Sequence, residues 1–376
     1  MNSQEINFAE TPKNILFQCQ LLKQNYSYIQ NLRCLSSSVI GVIVGYLLPV
    51  CSIPCILTNL FIAITVMFKW RTAARQLIYI SGICLSSATA DVFFIWLWQY
   101  PAYGLPYTTN GAKFFTFLNV SPTACRFHRF VYSSSATLMC NMRICSSLDR
   151  CLAIYVPIKL KKFHHKYAWF VYGATACFSA LLMLPLATEM DWIPSKYGVQ
   201  CWFRNANTHP NANNSTNIYL QLHHAFLSNL GPVQTILLII IDLAFVVKFR
   251  RHLNKHKRHN TTTTDTKKET KTFNRYRLLF ISAVSYTLLA TVQCIFLALA
   301  RLSSVEIISF ETTLAYNMSD ILWYLNILRE VLDFVIYQKC FRIFNIIVVK
   351  VSVICCRPTL STRSGNLFTR TEMTTE

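Results

Sequence analysis

The sequence predicts an all-α membrane protein, a bundle of seven transmembrane helices followed by a short helix in the membrane interface. Three observations support this fold class. Only 14% of the 376 residues are charged and 53% are hydrophobic, whereas soluble domains have about 25% charged residues. Seven segments approach the roughly 20 apolar residues that a membrane-spanning helix requires. The basic residues, which leave a net charge of +20, gather in alternate connectors between these segments.

The seven predicted spans are separated by polar connectors. Hydropathy alone would not select the third and seventh, but polar residues within a span usually face the interior of the bundle, so both are retained. The connector between the fifth and sixth spans, residues 255–271, is polar and predicts a flexible loop. The predicted spans are residues 39–68, 77–100, 125–156, 167–187, 219–249, 276–302 and 314–337.

The segments around the spans complete the predicted organisation. Residues 1–38 form an N-terminal segment without the basic stretch and long apolar run of a cleavable leader, so the first span is expected to target the chain. Residues 39–350 form the membrane domain, which ends in alternating basic and apolar residues typical of an interfacial helix. Residues 351–376 predict a disordered tail. The candidates for palmitoylation in this tail are Cys355 and Cys356.

The charge of the connectors predicts the orientation. Basic residues follow the first, third and fifth spans, while the opposite connectors contain acidic residues such as Glu189 and Glu306. Because basic loops remain in the cytoplasm, we expect a multi-pass plasma-membrane protein with an extracellular N-terminus and a cytoplasmic tail. The sequon at Asn260 then faces inward and should stay unmodified. The outward-facing candidates for glycosylation are Asn25, Asn119, Asn213 and Asn214.

A family motif stands at the inner end of the third span. The string Ser-Leu-Asp-Arg-Cys-Leu-Ala-Ile-Tyr-Val-Pro over 147–157 resembles the Asp-Arg-Tyr signature of rhodopsin-like G-protein-coupled receptors, with Cys151 in place of the tyrosine. Asn59 and Asp91 resemble the buried polar pair of that family. The sequence Asp-Phe-Val-Ile-Tyr over 333–337 resembles Asn-Pro-x-x-Tyr. The resemblance extends over about 39–350, and it implies a seven-helix receptor that passes an extracellular signal to a heterotrimeric G protein.

The chain also departs from the family pattern. Its sixth span lacks the Cys-Trp-x-Pro motif, and Ile240 stands where a tyrosine is common, which indicates a divergent member. The resemblance further implies a disulfide between Cys125, at the outer end of the third span, and Cys201 in the following outer loop. The outer side of a cell is oxidising enough to maintain such a bond.

The same resemblance implies a switch at the inner end of the bundle. The permanently charged guanidinium of Arg150 must be paired or hydrated, and its neighbour Asp149 is expected to hold it in the resting state. Separation of the inner helix ends would then free Arg150 to meet the G protein. The expected members of this switch are Asp149, Arg150, Cys151 and Tyr337.

A second set of charged residues lies deeper in the predicted spans. Arg143 precedes Arg150 by seven residues and therefore lies two helical turns further in on the same face. Ionisable groups within a membrane cost several kcal/mol unless they are paired, so we expect these groups to meet. The expected network joins Asn59, Asp91, Glu330 and Asp333 to Arg143 and Arg329. Its two arginines would replace the sodium ion that many family members bind, which predicts activity insensitive to sodium.

The outer half of the bundle offers candidates for ligand contact. Receptors for biogenic amines in this family have an Asp where Tyr132 stands, so an amine ligand is not expected. Aromatic rings combined with arginine suit a peptide with an aromatic or acidic end, such as a neuropeptide. The same rings suit anchoring at the membrane surface, which is the commoner role for any one of them. The candidates are Trp98, Arg129, Tyr132 and Trp323.

Other classes of function find less support. The sequence contains no nucleophile, metal-protease or phosphate-binding motif, so neither an enzyme nor a cofactor or metal is expected. The basic residues lie in loops between apolar spans, where they suit anionic lipid and a G protein rather than nucleic acid. The alternative is a transporter or ion channel that uses the buried arginines and carboxylates. Helices broken by Gly and Pro would favour it, but the sixth and seventh spans contain neither.

Overall fold

The protein is almost entirely helical. A computed structural model describes residues 28–68, 74–109, 112–113, 115–156, 165–195, 198–203, 218–259, 265–304 and 312–340. Within these ranges the chain forms seven long helices and one two-stranded antiparallel hairpin. The predicted interfacial helix beyond residue 340, the palmitoylation candidates Cys355 and Cys356, and the sequons at Asn25, Asn213 and Asn214 lie outside the described residues.

The first two helices each contain a π-helical segment. Helix α1 comprises Tyr28–Val42, the π segment Ile43–Leu47 and Leu48–Phe68. Helix α2 comprises Arg75–Asp91, the π segment Val92–Gly104 and Leu105–Thr108. Pro101 lies inside the second π segment, as is common where a proline ring disturbs regular helical hydrogen bonding.

The remaining elements follow in chain order. Helix α3 begins at a Ser121 cap whose hydroxyl accepts a 3.0 Å hydrogen bond from the backbone of Ala124. Pro122 occupies the first turn, where its missing N–H costs nothing. The bounds are α3 Pro122–Tyr155, α4 His165–Glu189, β1 Met190–Ser195, β2 Gly198–Phe203, α5 Ile218–His259, α6 Asp265–Ser304 and α7 Thr312–Cys340.

Five of these helices are long and apolar enough to cross a membrane. They are the stretches Cys34–Phe68, Arg75–Thr108, Lys166–Glu189, Leu230–Phe249 and Ile281–Ala300, within α1, α2, α4, α5 and α6. Large apolar side chains stand exposed on these helices, among them Phe170 (74% exposed), Leu181 (68%) and Leu288 (63%). Contiguous apolar surface of this kind requires lipid or a partner, so the fold is that of an all-α membrane protein.

Helix α3 lies at the centre of the packing. It contacts α2, α4, α5 and the hairpin, while α7 packs along α6 and also against α1. The main apolar core forms between α1, α2 and α3, where Ile62, Ile78 and Met142 are fully buried. Helices α3 and α7 do not appear among the five apolar stretches, because their inward faces contain charged residues that pack against each other.

The hairpin is joined to the N-terminal end of α3. Cys125 and Cys201 form a disulfide with their Cα atoms 5.7 Å apart. Arg126 reinforces the junction, because it donates to the carbonyl of Met190 at 2.7 Å and to Asp191 at 3.3 Å. Cys34 also belongs to a disulfide, which the sequence analysis did not anticipate. We call this end of the molecule the hairpin end and the opposite end of α3 the Arg150 end.

Several element bounds differ from the predicted ones. Helix α1 begins at Tyr28, within the segment expected to be an extracellular N-terminus. The predicted flexible loop over 255–271 is helical at both ends, since α5 continues to His259 and α6 begins at Asp265. Polar residues can extend a helix beyond its apolar part because the backbone hydrogen bonds continue wherever no proline or glycine interrupts them.

Asn119 supplies a test of the orientation. It is exposed in a short turn at the hairpin end, where an outward orientation predicts glycosylation. Replacing it by Asn119→Gln should remove one glycan, seen as a step in electrophoretic mobility that glycosidase treatment of the wild type reproduces. The matched control is Asn260→Gln, which should leave the mobility unchanged. A glycan at Asn260 and none at Asn119 would show that the orientation is inverted.

Candidate functional site

Buried charges mark the candidate site. Among the described residues, eight charged side chains are buried, and they come from α2, α3, α5 and α7. Such groups are stable inside a protein only when charged or hydrogen-bonding partners compensate for the lost water. The buried charged residues are Asp91, Arg143, Asp149, Arg150, Asp242, Arg329, Glu330 and Asp333.

An ion pair joins α3 to α7 in the centre of the bundle. The Nη2 atom of Arg143 lies 3.0 Å from Oε1 of Glu330, and both side chains are about nine-tenths buried. The other oxygen of Glu330 accepts from the Ser87 hydroxyl and, at 3.4 Å, from Asn59 Nδ2. Glu330 therefore gathers donors from three helices, and sequence analysis had anticipated Arg143 and Asn59 but not Ser87.

Asp91 lies beside this pair rather than opposite an arginine. It contacts the Cys55 thiol, whose sulfur is 3.8 Å from Asp91 Oδ2 and 4.0 Å from Glu330 Oε2. The described residues place no guanidinium within ion-pair distance of Asp91, so its link to the expected network runs through Cys55 and Glu330. The ligand atoms of Cys55, Asp91 and Glu330 lie within 4.8 Å of one another, a set that is chemically able to hold a metal ion.

A second ion pair lies within α7. The Nη1 atom of Arg329 donates to both oxygens of Asp333 at 2.8 and 2.9 Å, one helical turn away. Ser282 of α6 donates to Asp333 at 2.5 Å, and Arg329 donates at 3.4 Å to the Ser282 carbonyl. These contacts fasten α7 to α6.

The Tyr286 ring connects the two ion pairs. Its centroid lies 4.1 Å from Cζ of Arg143 and 5.5 Å from Cζ of Arg329. A guanidinium is attracted to the face of an aromatic ring, the more so where water is excluded. The residues that were expected to form one network thus form two ion pairs, and the Tyr286 ring lies between them. Sequence analysis missed Tyr286, although its position one turn after Ser282 places both on one face of α6.

A cavity lies between this centre and the Arg150 end. Arg150 donates to the Ser147 hydroxyl at 2.8 Å and to the Ser146 carbonyl at 3.3 Å. Asp242 of α5 lines the same cavity and accepts from Thr287 at 3.3 Å. The cavity thus presents a buried cation and a buried carboxylate to whatever enters it. Its lining also includes Arg143, Tyr286 and Tyr337.

Asp149 has a different partner from the expected one. Its Oδ1 lies 3.6 Å from Nε of Arg75 at the start of α2, whereas Arg150 donates hydrogen bonds to Ser146 and Ser147. Adjacent residues on a helix point about 100° apart, so Asp149 faces α2 while Arg150 faces the cavity. Asp242 was not among the site residues selected from the sequence. Its position as the single charged residue in the apolar run of the fifth span was the signal that could have identified it. Cys151 is half-buried next to this site.

The four ligand-pocket candidates meet at the hairpin end. Tyr132 stacks on Phe94 with ring centroids 5.4 Å apart, and Trp323 meets the edge of the same ring at 6.2 Å. Trp98 lies 5.6 Å from Phe94, and Arg129 places its Cζ 4.5 Å from the centre of the Trp98 ring. Sequence analysis missed Phe94, which is the ring that the other aromatic residues share.

Comparisons with known protein families and with curated proteins assign no relative to this chain. None of the models of known protein families matches the chain, and no curated protein matches it either. The function is therefore inferred from the residues of this chain and their contacts.

Proposed function

We propose that this protein is a divergent rhodopsin-like G-protein-coupled receptor in the plasma membrane, activated from outside by a peptide and coupled to a heterotrimeric G protein. The observation that carries the proposal is Arg150, a buried cation at the mouth of a cavity between α3, α5, α6 and α7. The Asp-Arg-Cys string over 149–151 places this cation where the family's receptors receive the tail of the G protein.

The two ends of α3 support the orientation. Cys125 and Arg150 are 25 residues apart, which corresponds to roughly 37 Å along a helix, more than the roughly 30 Å hydrocarbon core of a bilayer. A disulfide at the hairpin end suits an oxidising exterior. The basic residues after α3 and within the end of α5 suit the cytoplasmic side. An extracellular hairpin end and a cytoplasmic Arg150 end follow from this proposal.

Seven crossings are part of the same proposal. Helices α3 and α7 contain 34 and 29 residues, longer than the roughly 20 that suffice to span a membrane. Their charged groups pair inside the bundle, as Arg143 and Glu330 do, so neither charge has to face lipid. The polar composition of these helices is therefore compatible with spanning segments surrounded by five more apolar ones.

A transporter or ion channel remains the second candidate. The buried carboxylates and arginines would suit an ion pathway, and the Cys55, Asp91 and Glu330 set could bind a cation. Against this function, Glu330 and Asp333 already hold a counter-charge, because Arg143 and Arg329 contact them directly at 3.0 and 2.8 Å.

Nucleotide exchange on purified G proteins tests the proposal. The full chain in lipid nanodiscs would be mixed with representatives of each G-protein class, with and without a peptide library. We expect accelerated exchange in at least one class compared with empty nanodiscs. No acceleration in any class, together with an ion or solute flux in liposomes that contain the protein, would replace the receptor proposal by the transporter.

A further inference from the structure

Two arginines lie near the hairpin end of α3, and their environments differ. Arg126 is engaged by the hairpin, because it contacts the Met190 carbonyl at 2.7 Å and the Asp191 carboxylate at 3.3 Å. These contacts explain its presence as a structural fastening of β1. Arg129 lies three residues further along the helix, and the described residues include no comparable partner for it.

Arg129 is a partly buried cation whose charge is not balanced by a carboxylate. Its guanidinium lies over the Trp98 ring, with Cζ 4.5 Å from the centroid. Its Nε atom is buried without a hydrogen-bond partner, and in the described part of the chain no acidic group lies within 4.0 Å of it. A desolvated guanidinium without a counter-charge is costly, and cation–π attraction offsets only part of that cost.

Two further polar atoms around the same rings also lack partners. His128 makes a 2.8 Å contact from Nε2 to the Phe93 carbonyl, so Nε2 must carry the proton and Nδ1 is left as an acceptor. That Nδ1 and the Trp323 Nε1 atom are both buried without hydrogen bonds. The His128 ring lies 6.1 Å from Trp98, the ring that Arg129 contacts, and Trp323 lies 6.2 Å from Phe94, which itself contacts Trp98 at 5.6 Å.

The charge and the donor geometry of Arg129 indicate which chemical group of a ligand it binds. One guanidinium supplies one positive charge and a planar pair of donors, which match a carboxylate, whereas a phosphate would bring a second negative charge into apolar surroundings. Trp98 and Tyr132 are partly exposed, with ring centroids 6.2 Å apart, and offer ring surface for an aromatic or aliphatic group next to that carboxylate, while the buried Phe94 supports both rings. Because buried donors and acceptors are normally satisfied, the donors Arg129 Nε and Trp323 Nε1 point to an acceptor that a ligand supplies, whereas His128 Nδ1 requires a separate donor.

We propose that Arg129 binds the carboxylate of the extracellular ligand, and that the Trp98 and Tyr132 rings bind the apolar group adjoining it. This inference rests on the proposed function, because it specifies the ligand end that the receptor recognises. The carboxylate could be the C-terminus of a peptide or belong to a small free acid. Both sources place a carboxylate against Arg129, and they differ in the rest of the molecule that is attached to this carboxylate.

Binding of matched acids and amides to the purified full chain in nanodiscs tests the inference. The probes are 3-phenylpropionate and N-acetylphenylalanine, each compared with its carboxamide, and binding is read from quenching of tryptophan fluorescence and from the thermal midpoint. We expect the acids to bind about 10- to 100-fold more tightly than the amides, as the loss of a charge-assisted hydrogen bond predicts. Tighter binding of N-acetylphenylalanine than of 3-phenylpropionate indicates a peptide C-terminus, and the reverse order indicates a small acid.

Variants of the two arginines provide the controls. Arg129→Gln should remove the preference for acids, while Arg126→Gln should retain it, since Arg126 contacts the hairpin. If Arg129→Gln fails to fold, Arg129→Lys should keep a reduced preference because it keeps the charge without the planar donor pair. Equal binding of acids and amides, no binding of either, or an undiminished preference in the Arg129 variants would overturn the inference. Binding of these probes requires no G protein. Failure of nucleotide exchange would therefore refute the proposed function without deciding whether Arg129 binds a carboxylate.

Discussion

Replacing Arg150 by alanine is expected to abolish G-protein activation while the protein still reaches the cell surface. The guanidinium lines the cavity at the Arg150 end, and charge-assisted hydrogen bonds from such a group contribute roughly 1.5–3 kcal/mol each. Loss of two of them predicts a fall in exchange rate of at least about 100-fold. Folding should be affected less, because alanine removes a buried charge whose own desolvation is unfavourable.

The measurement is nucleotide exchange normalised to the amount of surface-labelled protein. A conservative variant, Arg150→Lys, should retain part of the activity because it keeps the charge but loses the planar donor geometry. Arg75→Gln is the matched control, since Arg75 contacts Asp149 at 3.6 Å and does not line the cavity; most of the exchange should remain. Wild-type exchange by Arg150→Ala would show that this cavity is not where the G protein is engaged.

Replacing Glu330 by alanine is expected to cause the largest loss of stability. The change removes the carboxylate that lies 3.0 Å from Arg143 and leaves that guanidinium buried without its counter-charge. Breaking a buried ion pair from one side costs about 3–5 kcal/mol. Glu330→Gln should cost less, because an amide oxygen can still accept hydrogen bonds from Ser87 and Asn59.

Thermal unfolding of the purified variants would measure this effect. Replacing both partners together, as Arg143→Met with Glu330→Met, should recover much of the stability lost in Glu330→Ala, since apolar groups of similar size need no compensation. The double-mutant cycle of Arg143→Ala and Glu330→Ala isolates the coupling between the two residues. If the stability lost in the double variant equals the sum of the losses in the two single variants, the two side chains do not interact.

Much of the helical framework could be predicted from the sequence. Each of the seven predicted spans corresponds to one long helix, because runs of apolar residues are the strongest local signal for a buried or lipid-facing helix. The first helix begins earlier than predicted, at Tyr28, and α5 extends to His259. Such ends are set by backbone hydrogen bonding and packing rather than by hydropathy, which explains why the apolar pattern did not locate them.

The residue types of the candidate site were also visible in the sequence, but their partners were not. Ionisable residues in apolar segments identified Arg143, Arg329 and Glu330 as members of a buried network. The expectation that Asp149 holds Arg150 missed the Arg75 contact of Asp149 at 3.6 Å. The aromatic contact through Tyr286 was missed as well, because a tyrosine in an apolar helix gives no local sign of what its ring will face.

The sequence by itself determined which segments become apolar helices, which of them contain charges, and where the Asp-Arg-Cys string lies. Only the tertiary structure decided which charges meet. Arg329 and Glu330 are neighbours in the chain, yet Arg329 contacts Asp333 and the α6 backbone whereas Glu330 contacts Arg143 on α3. Successive residues point about 100° apart on a helix, so their partners depend on how each helix is rotated within the bundle. That rotation is set by the packing of all the helices together, and no single segment encodes it.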